Sequence, residues 1–178
     1  AVNGAHNETI AIANELINNY ADTMHPDTLV RCYLAAGNGY WLQGLLYNAM
    51  YTLQKVLLRR DEFNGLTTFN IVWMTYANVL KDLHLHERAR DEMNEILKHA
   101  RLSPRDAIVM NINLSTLYGG TFNDVESSRK YMDECYRLLE SQPFPELKQA
   151  AVINWASNLV AMGQYDEALP IITNTEIM

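Results

Sequence analysis

The sequence predicts an all-α fold, a solenoid of antiparallel helix pairs, on three observations. The first is a recurring pair of small residues. WASNLVAMGQYDEAL, residues 155–169, places Ala156 and Ala168 twelve apart with Gly163 between them. The arrangement returns in YANVLKDLHLHERAR at 76–90 and in AGNGYWLQGLLYNAM at 36–50. With one residue inserted at the turn it returns again in LSTLYGGTFNDVESSR at 114–129. The second small residues are Ala49, Ala89, Ser128 and Ala168, at spacings of 40, 39 and 40, and a fixed period of this size marks a stacked repeat architecture. The second observation is that apolar residues recur three and four apart on each side of the turn, giving two amphipathic helices per unit. The third is that no stretch alternates as a strand does.

Each element follows from local signals. A lone helix is expected over 7–21. His25-Pro26-Asp27-Thr28 then starts the first pair, with helix A over 27–42 and helix B over 45–60. RRDEFNGLTTFN is a long connector to the second pair, at 69–82 and 86–100. Ser103-Pro104-Arg105-Asp106 joins an N-cap serine to proline at the first helical position and an acid at the third, and opens the third pair at 104–118 and 124–141. Gln142-Pro143-Phe144-Pro145-Glu146 breaks the chain before the fourth pair, at 146–162 and 165–174. Gly44 and Gly163 end a first helix rather than interrupt it, because glycine takes the positive φ that a helix C-terminus often requires. Small side chains at Gly37, Ala77, Ser115 and Ala156, and at their partners in helix B, let the two helices approach closely. Pro170 falls inside the last helix, where it removes a backbone bond at a cost of about 3 kcal/mol unless the helix is kinked or short.

Composition bounds the function. The chain has 178 residues, 48% hydrophobic and 20% charged, with net charge −7, which suits a globular domain with a real core. We expect one domain over 1–178. Net negative charge argues against nucleic acid as the partner, since that affinity rests on neutralising phosphates. No apolar run is long enough to cross a bilayer, so no membrane insertion is expected of these residues. The chain opens on Ala1 and closes on TNTEIM without a helix stop, as expected of a fragment of a longer protein. Cys32 and Cys135 read as small core residues; one disulfide between them is the alternative. Neither assigns a compartment, and a cytoplasmic protein and an extracytoplasmic sensor domain both fit.

The order of residues in each pair resembles the tetratricopeptide repeat. The second pair fits best, through Trp73, Tyr76-Ala77, Leu80, His84, His86, Ala89, Met93 and Ile96. The first gives Tyr33, Ala36-Gly37, Tyr40, Gly44, Leu46, Ala49, Leu53 and Val56; the last gives Val152, Trp155-Ala156, Leu159, Gly163, Tyr165, Ala168 and Ile172. The likeness covers roughly residues 30–175. The period near 40 exceeds the family's 34, and Asn111 stands where a large apolar residue is usual. HEAT-like pairs share a period near 40 and are the alternative fold. The resemblance implies a right-handed superhelical solenoid of about four pairs plus an N-terminal helix. It also implies protein or peptide recognition on a concave face lined by helices A, without catalysis.

Chemistry-bearing clusters are sparse. His84-Leu85-His86-Glu87, with His99, has weak spacing for a zinc ion, and His84 reads better as a turn residue and His86 as a packing aromatic. No metal, cofactor or catalytic residue is therefore assigned, and the chain is expected not to be an enzyme. Asp61-Glu62 and Asp91-Glu92 read as solvated pairs, since adjacent helix residues do not face one another. The candidate ligand face takes the helix A positions that do not pack on helix B: Arg31, Leu34, Asn38, Trp41 and Leu42, then Met74, Asn78 and Lys81, then Ile112 and Thr116. Asn38 and Asn78 share a repeat column, and the resemblance implies hydrogen bonds from such asparagines to an extended peptide backbone. An amide suits this because it both donates and accepts. Trp41 offers apolar contact, and Arg31 and Lys81 offer charge to ligand carboxylates. Leu34 and Met74 stand where the family's carboxylate clamp carries a basic residue, so that clamp is not expected. The function expected is a binding scaffold for a protein or peptide. The alternative is a sensor or regulatory segment of a longer bacterial signalling or transcription protein, and assembly into a homo-oligomer is a further possibility for a stack with open ends.

Overall fold

Reversal of the chain after each first helix rests on one residue in the left-handed region. A computed structural model describes residues 2–174, with side chains from residue 4 onward. Its elements are α1 (Val2–Tyr20), α2 (Pro26–Leu42), α3 (Leu46–Leu57), α4 (Arg60–Phe63), α5 (Thr67–Asp82), α6 (His86–His99), α7 (Pro104–Gly120), α8 (Val125–Ser141), α9 (Pro145–Ala161) and α10 (Tyr165–Thr173). Among the described residues every element is a helix, as the all-α class requires. Gly44 and Gly163 each have φ of 74°, and His84 (58°) and Asn123 (53°) fill the same slot in the other two pairs. The N–H groups of Gly44 and Leu45 return to the carbonyls of Trp41 and Tyr40, both at 2.9 Å. His84 and Leu85 bond to Lys81 and Leu80 in the same way, and Gly163 and Gln164 to Val160 and Leu159. This is the double bond of a Schellman helix end, which satisfies carbonyls that the helix itself leaves free. In the third pair Asp124 N–H reaches back six residues, to Tyr118 (2.9 Å), instead of five. That is the inserted turn residue.

Helix starts follow the expected caps. Ser103 Oγ accepts from Asp106 N–H at 3.1 Å, and His25 Nδ1 accepts from Asp27 N–H at 3.3 Å. Asp124 adds a third cap, accepting from Ser127 N–H at 3.0 Å. The connector after α3 differs from expectation. Helix α3 stops at Leu57 and the chain makes the short helix α4, because Phe63 is driven into the core and becomes fully buried. Gly65, at φ 97°, then redirects the chain into α5. Helix α10 runs through Pro170 and ends three residues later, so a nine-residue helix tolerates the missing bond.

The chain divides into two units, residues 1–101 and 102–178. In the first, α1 lies on α2, α3 folds back on α2, and α5 packs against both α2 and α3. The small residues stand where helices meet: Ala36, Ala49, Ala77 and Ala89 are fully buried. A Cβ on Gly37 would lie 2.5 Å from Leu53 Cδ2, so the Leu53 side chain packs directly on the bare backbone of α2. Across α5 and α6, Trp73 Nε1 donates to Glu92 (2.6 Å) and Arg88 donates to the Tyr76 hydroxyl (2.8 Å), ties that fix the antiparallel register. Glu92 is thus half-buried and bonded, a correction to its reading as solvated surface.

In the second unit the small column is polar. Ser128 Oγ donates to the Ser115 carbonyl (2.8 Å), Ser115 Oγ therefore donates to Ser128 Oγ (3.1 Å), and Asn158 Nδ2 donates to Ser115 Oγ (3.2 Å). All three side chains are buried, and each satisfies another, as buried polar groups must. Asn111, buried among apolar neighbours, donates to the Ala107 carbonyl one turn back at 2.8 Å. Around these, Met132, Cys135, Leu139, Trp155 and Leu159 form the core. Cys32 and Cys135 are free and buried, one in each unit, and no disulfide joins them.

Three substitutions check the crossings and the turns. Ala89→Leu overfills a crossing with no free surface and should destabilise by about 1–3 kcal/mol in denaturant unfolding. Gly44→Ala should cost about 1–2 kcal/mol, because its Cβ meets no neighbour and only the left-handed backbone penalises it. His84→Gly should move stability the opposite way, by about 1 kcal/mol.

Candidate functional site

Helices α2 and α5 run parallel and are tied at both ends by residues one repeat apart. At their N-terminal ends Thr68 Oγ1 donates to Asp27 Oδ1 at 2.7 Å. At their C-terminal ends Trp41 Nε1 donates to Asp82 Oδ2 at 2.8 Å. The two helices therefore run side by side along their length, and Asn38 and Asn78 lie on them, both half-buried.

The side chains of the expected face differ in what remains for a ligand. Arg31 is exposed, with Nε 2.7 Å from Asp27 Oδ2, so its charge is already paired. Trp41 is half-buried and its indole N–H is spent on Asp82. Asn78 is half-buried and has a partner within the protein. Asn38 is half-buried and has no hydrogen-bond partner among the described residues, and Lys81 has no ion pair among them. Thr116 lies in the second unit, where Oγ1 donates to the Ile112 carbonyl (3.0 Å) and sits 3.4 Å from Asn154 Oδ1. The structure thus brings Arg31, Asn38, Trp41, Asn78 and Lys81 onto α2 and α5, while Thr116 belongs to α7. Of the apolar candidates, Leu34 and Met74 are half-buried, Leu42 is exposed and Ile112 is buried.

The polar ties that hold this face are not legible in the sequence. Asp27 reads only as part of a helix start, and Thr68 and Asp82 carry no local motif. Their signal is the offset: 27 to 68 and 41 to 82 are both separations of 41. Asp27 sits beside Arg31, whose hydrogen bond, followed by that of Thr68, holds its carboxyl below the usual range. Elsewhere the chemistry is quiet. The His84 and His86 rings meet edge-on with centroids 5.4 Å apart, and among the described residues no three His, Cys, Asp or Glu side chains gather as metal ligands. Burial pushes the Cys135 thiol up to about 11, away from the reactive thiolate.

Comparison with solved structures places this geometry. A crystal structure of a Podosopora anserina putative kinesin light chain with nearly identical TPR-like repeats superposes with a TM-score of 0.78 at 13% identity, over 96% of this chain and 85% of that one. A single-substitution variant of that protein gives 0.79 at 13% identity, over 96% and 84%. BtubC (BKLC) from P. vanneervenii gives 0.66 at 14% identity, over 97% and 72%. The fold is that of the TPR-like repeat proteins. No family model matches the sequence, and no curated protein does. The TPR-like frame accounts for the parallel packing of α2 and α5, since first helices of successive repeats are neighbours in such a stack. It accounts equally for α7 and α9, where Asn158 meets Ser115 and Asn154 meets Thr116. No helix among the described residues is long and apolar enough to cross a membrane.

The Asp27 cluster makes stability pH-dependent. A carboxyl whose folded pKa is depressed contributes fully above its ordinary value of 3.8 and loses that contribution as pH falls through the folded value. Asp27→Asn should therefore be less stable than the parent at pH 7, and the gap should close below about pH 3.8. Thermal melts across pH 2–7 read the difference directly.

Proposed function

We propose that the chain is a non-catalytic scaffold that binds a protein partner, through an extended segment laid across α2 and α5. The observation that carries this reading is the Asn38–Asn78 column on two parallel helices, with the Asn38 amide unspent. Neighbouring helices lie about 8–10 Å apart, and an extended chain advances about 3.3 Å per residue. Asparagines on adjacent first helices thus address backbone groups about three residues apart on the ligand. Each amide offers one acceptor and two donors, which suits peptide N–H and C=O groups of any sequence. Trp41 lends its ring beside this column while Asp82 holds the indole still, and an orientation fixed in advance lowers the entropic cost of binding. Lys81 favours a ligand with a carboxylate nearby. Arg31 extends the face by exchanging Asp27 for a ligand acid, and Thr116 serves the equivalent face of the second unit. Protein recognition is also the usual use of TPR-like stacks.

Selection of peptides from a displayed random library, followed by calorimetric titration, tests the site. Asn38→Ala combined with Asn78→Ala should weaken selected peptides about tenfold or more, because each lost hydrogen bond removes roughly 1 kcal/mol or above. The unfolding midpoint should move little. Peptides that bind the double variant as tightly as the parent place the site elsewhere.

A further inference from the structure

The outer side of the last helix pair is a groove of about 390 Å³ between α9 and α10, lined by Ile153, Ala156, Val160, Ile171 and Ile172. Ile153, Val160 and Ile172 are 54%, 41% and 52% exposed. One repeat earlier, with Ser115 aligned on Ala156, the same positions are Ile112, Ser115 and Gly119, all buried. Helix α9 helps to cover them: Asn158 reaches Ser115 Oγ, and a Cβ on Gly119 would lie 3.2 Å from Asn158 Cβ. The α9–α10 groove is thus a second copy of a surface that, inside this chain, receives a helix.

The chain carries a helix with a free apolar stripe of matching length. On α1, Ile12, Leu16 and Tyr20 follow one turn after another, 51%, 37% and 54% exposed, while Ile10, Ala13 and Asn14 hold the other side against α2. Ile12 to Tyr20 spans about 12 Å along the axis, and Ile153 to Val160 about 10.5 Å, at 1.5 Å per residue. We propose that the α9–α10 groove of one protomer receives α1 of a second copy, so that the protein associates head to tail. One contact then covers two exposed apolar faces. Because the two surfaces differ, each copy in a pair keeps one of them free, and association continues past the dimer.

Sedimentation velocity over a dilution series tests this. The parent mass should rise with concentration past that of a dimer. Ile153→Asp and Leu16→Asp should each remain monomeric over the same range, and an equimolar mixture of the two should form a dimer and nothing larger, since each retains the surface that the other lacks. Both positions are solvent-exposed, circular dichroism reports retention of helix, and Val160→Lys with Ile12→Lys supplies a second pair. A parent that is monomeric throughout, association that survives either substitution, or a mixture that stays monomeric overturns the proposal.

Discussion

Close approach of helices through residues with almost no side chain governs the rest of this structure. Small residues stand buried on both helices of each pair, and larger side chains pack into the space they leave, as Leu53 does against Gly37. Interiors packed to crystal density leave nowhere for an added methylene. The consequence extends beyond one pair. Where the crossing is built from serine, two hydroxyls are buried, and a buried hydroxyl without a partner costs roughly 1–3 kcal/mol. The next first helix answers with Asn158, whose amide completes a chain of bonds to Ser115 and Ser128. A departure from the repeat in α7 and α8 is thus matched by a departure in α9. The same coupling explains why Gly119 has no side chain: the Asn158 and Ser128 atoms occupy that position.

Turns obey a looser rule than crossings. The slot that ends each first helix holds glycine twice, histidine once and asparagine once, all at positive φ. The conformation is required by the paired backbone bonds of the helix end, and glycine merely enters it at least cost. A penalty of about 1–2 kcal/mol for another residue is survivable because the flanking helices are held by their cores. Conformation recurs there more faithfully than residue type, whereas at the crossings size itself recurs.

That contrast decides what was legible in the sequence. The period near forty, the paired helices and the turns could be read because volume at a crossing and chirality at a turn are penalised locally, residue by residue. Helix α4 could not, because RRDEFNGL has no strong periodicity and only the fully buried Phe63 explains it. Nor could the ties between repeats. Trp41 with Asp82 and Thr68 with Asp27 join residues that look ordinary alone, and their common separation of 41 becomes meaningful only once first helices are known to be parallel neighbours. The candidate site was half legible for the same reason. Sequence columns select the face, but not which side chains are already occupied: Arg31 is paired, Trp41 and Thr116 are bonded, and Asn38 is left without a partner among the described residues.

Two kinds of surface remain, and their chemistry separates their roles. The face on α2 and α5 is half-buried and polar, with amides and charges whose partners are few and fixed. Such a surface gains little from dehydration alone and rewards a ligand that supplies backbone or carboxylate groups in register. The α1 stripe and the α9–α10 groove are apolar with few polar groups, so removal from water is itself the driving force and is indifferent to sequence detail beyond shape. Binding at the first should therefore depend on individual amides, and association through the second on the area covered. Arg31 lines one groove with Ile12 and Leu16, so the two proposed surfaces adjoin there, and Asn38 and Asn78 are the part of the first whose chemistry stands apart from the apolar stripe.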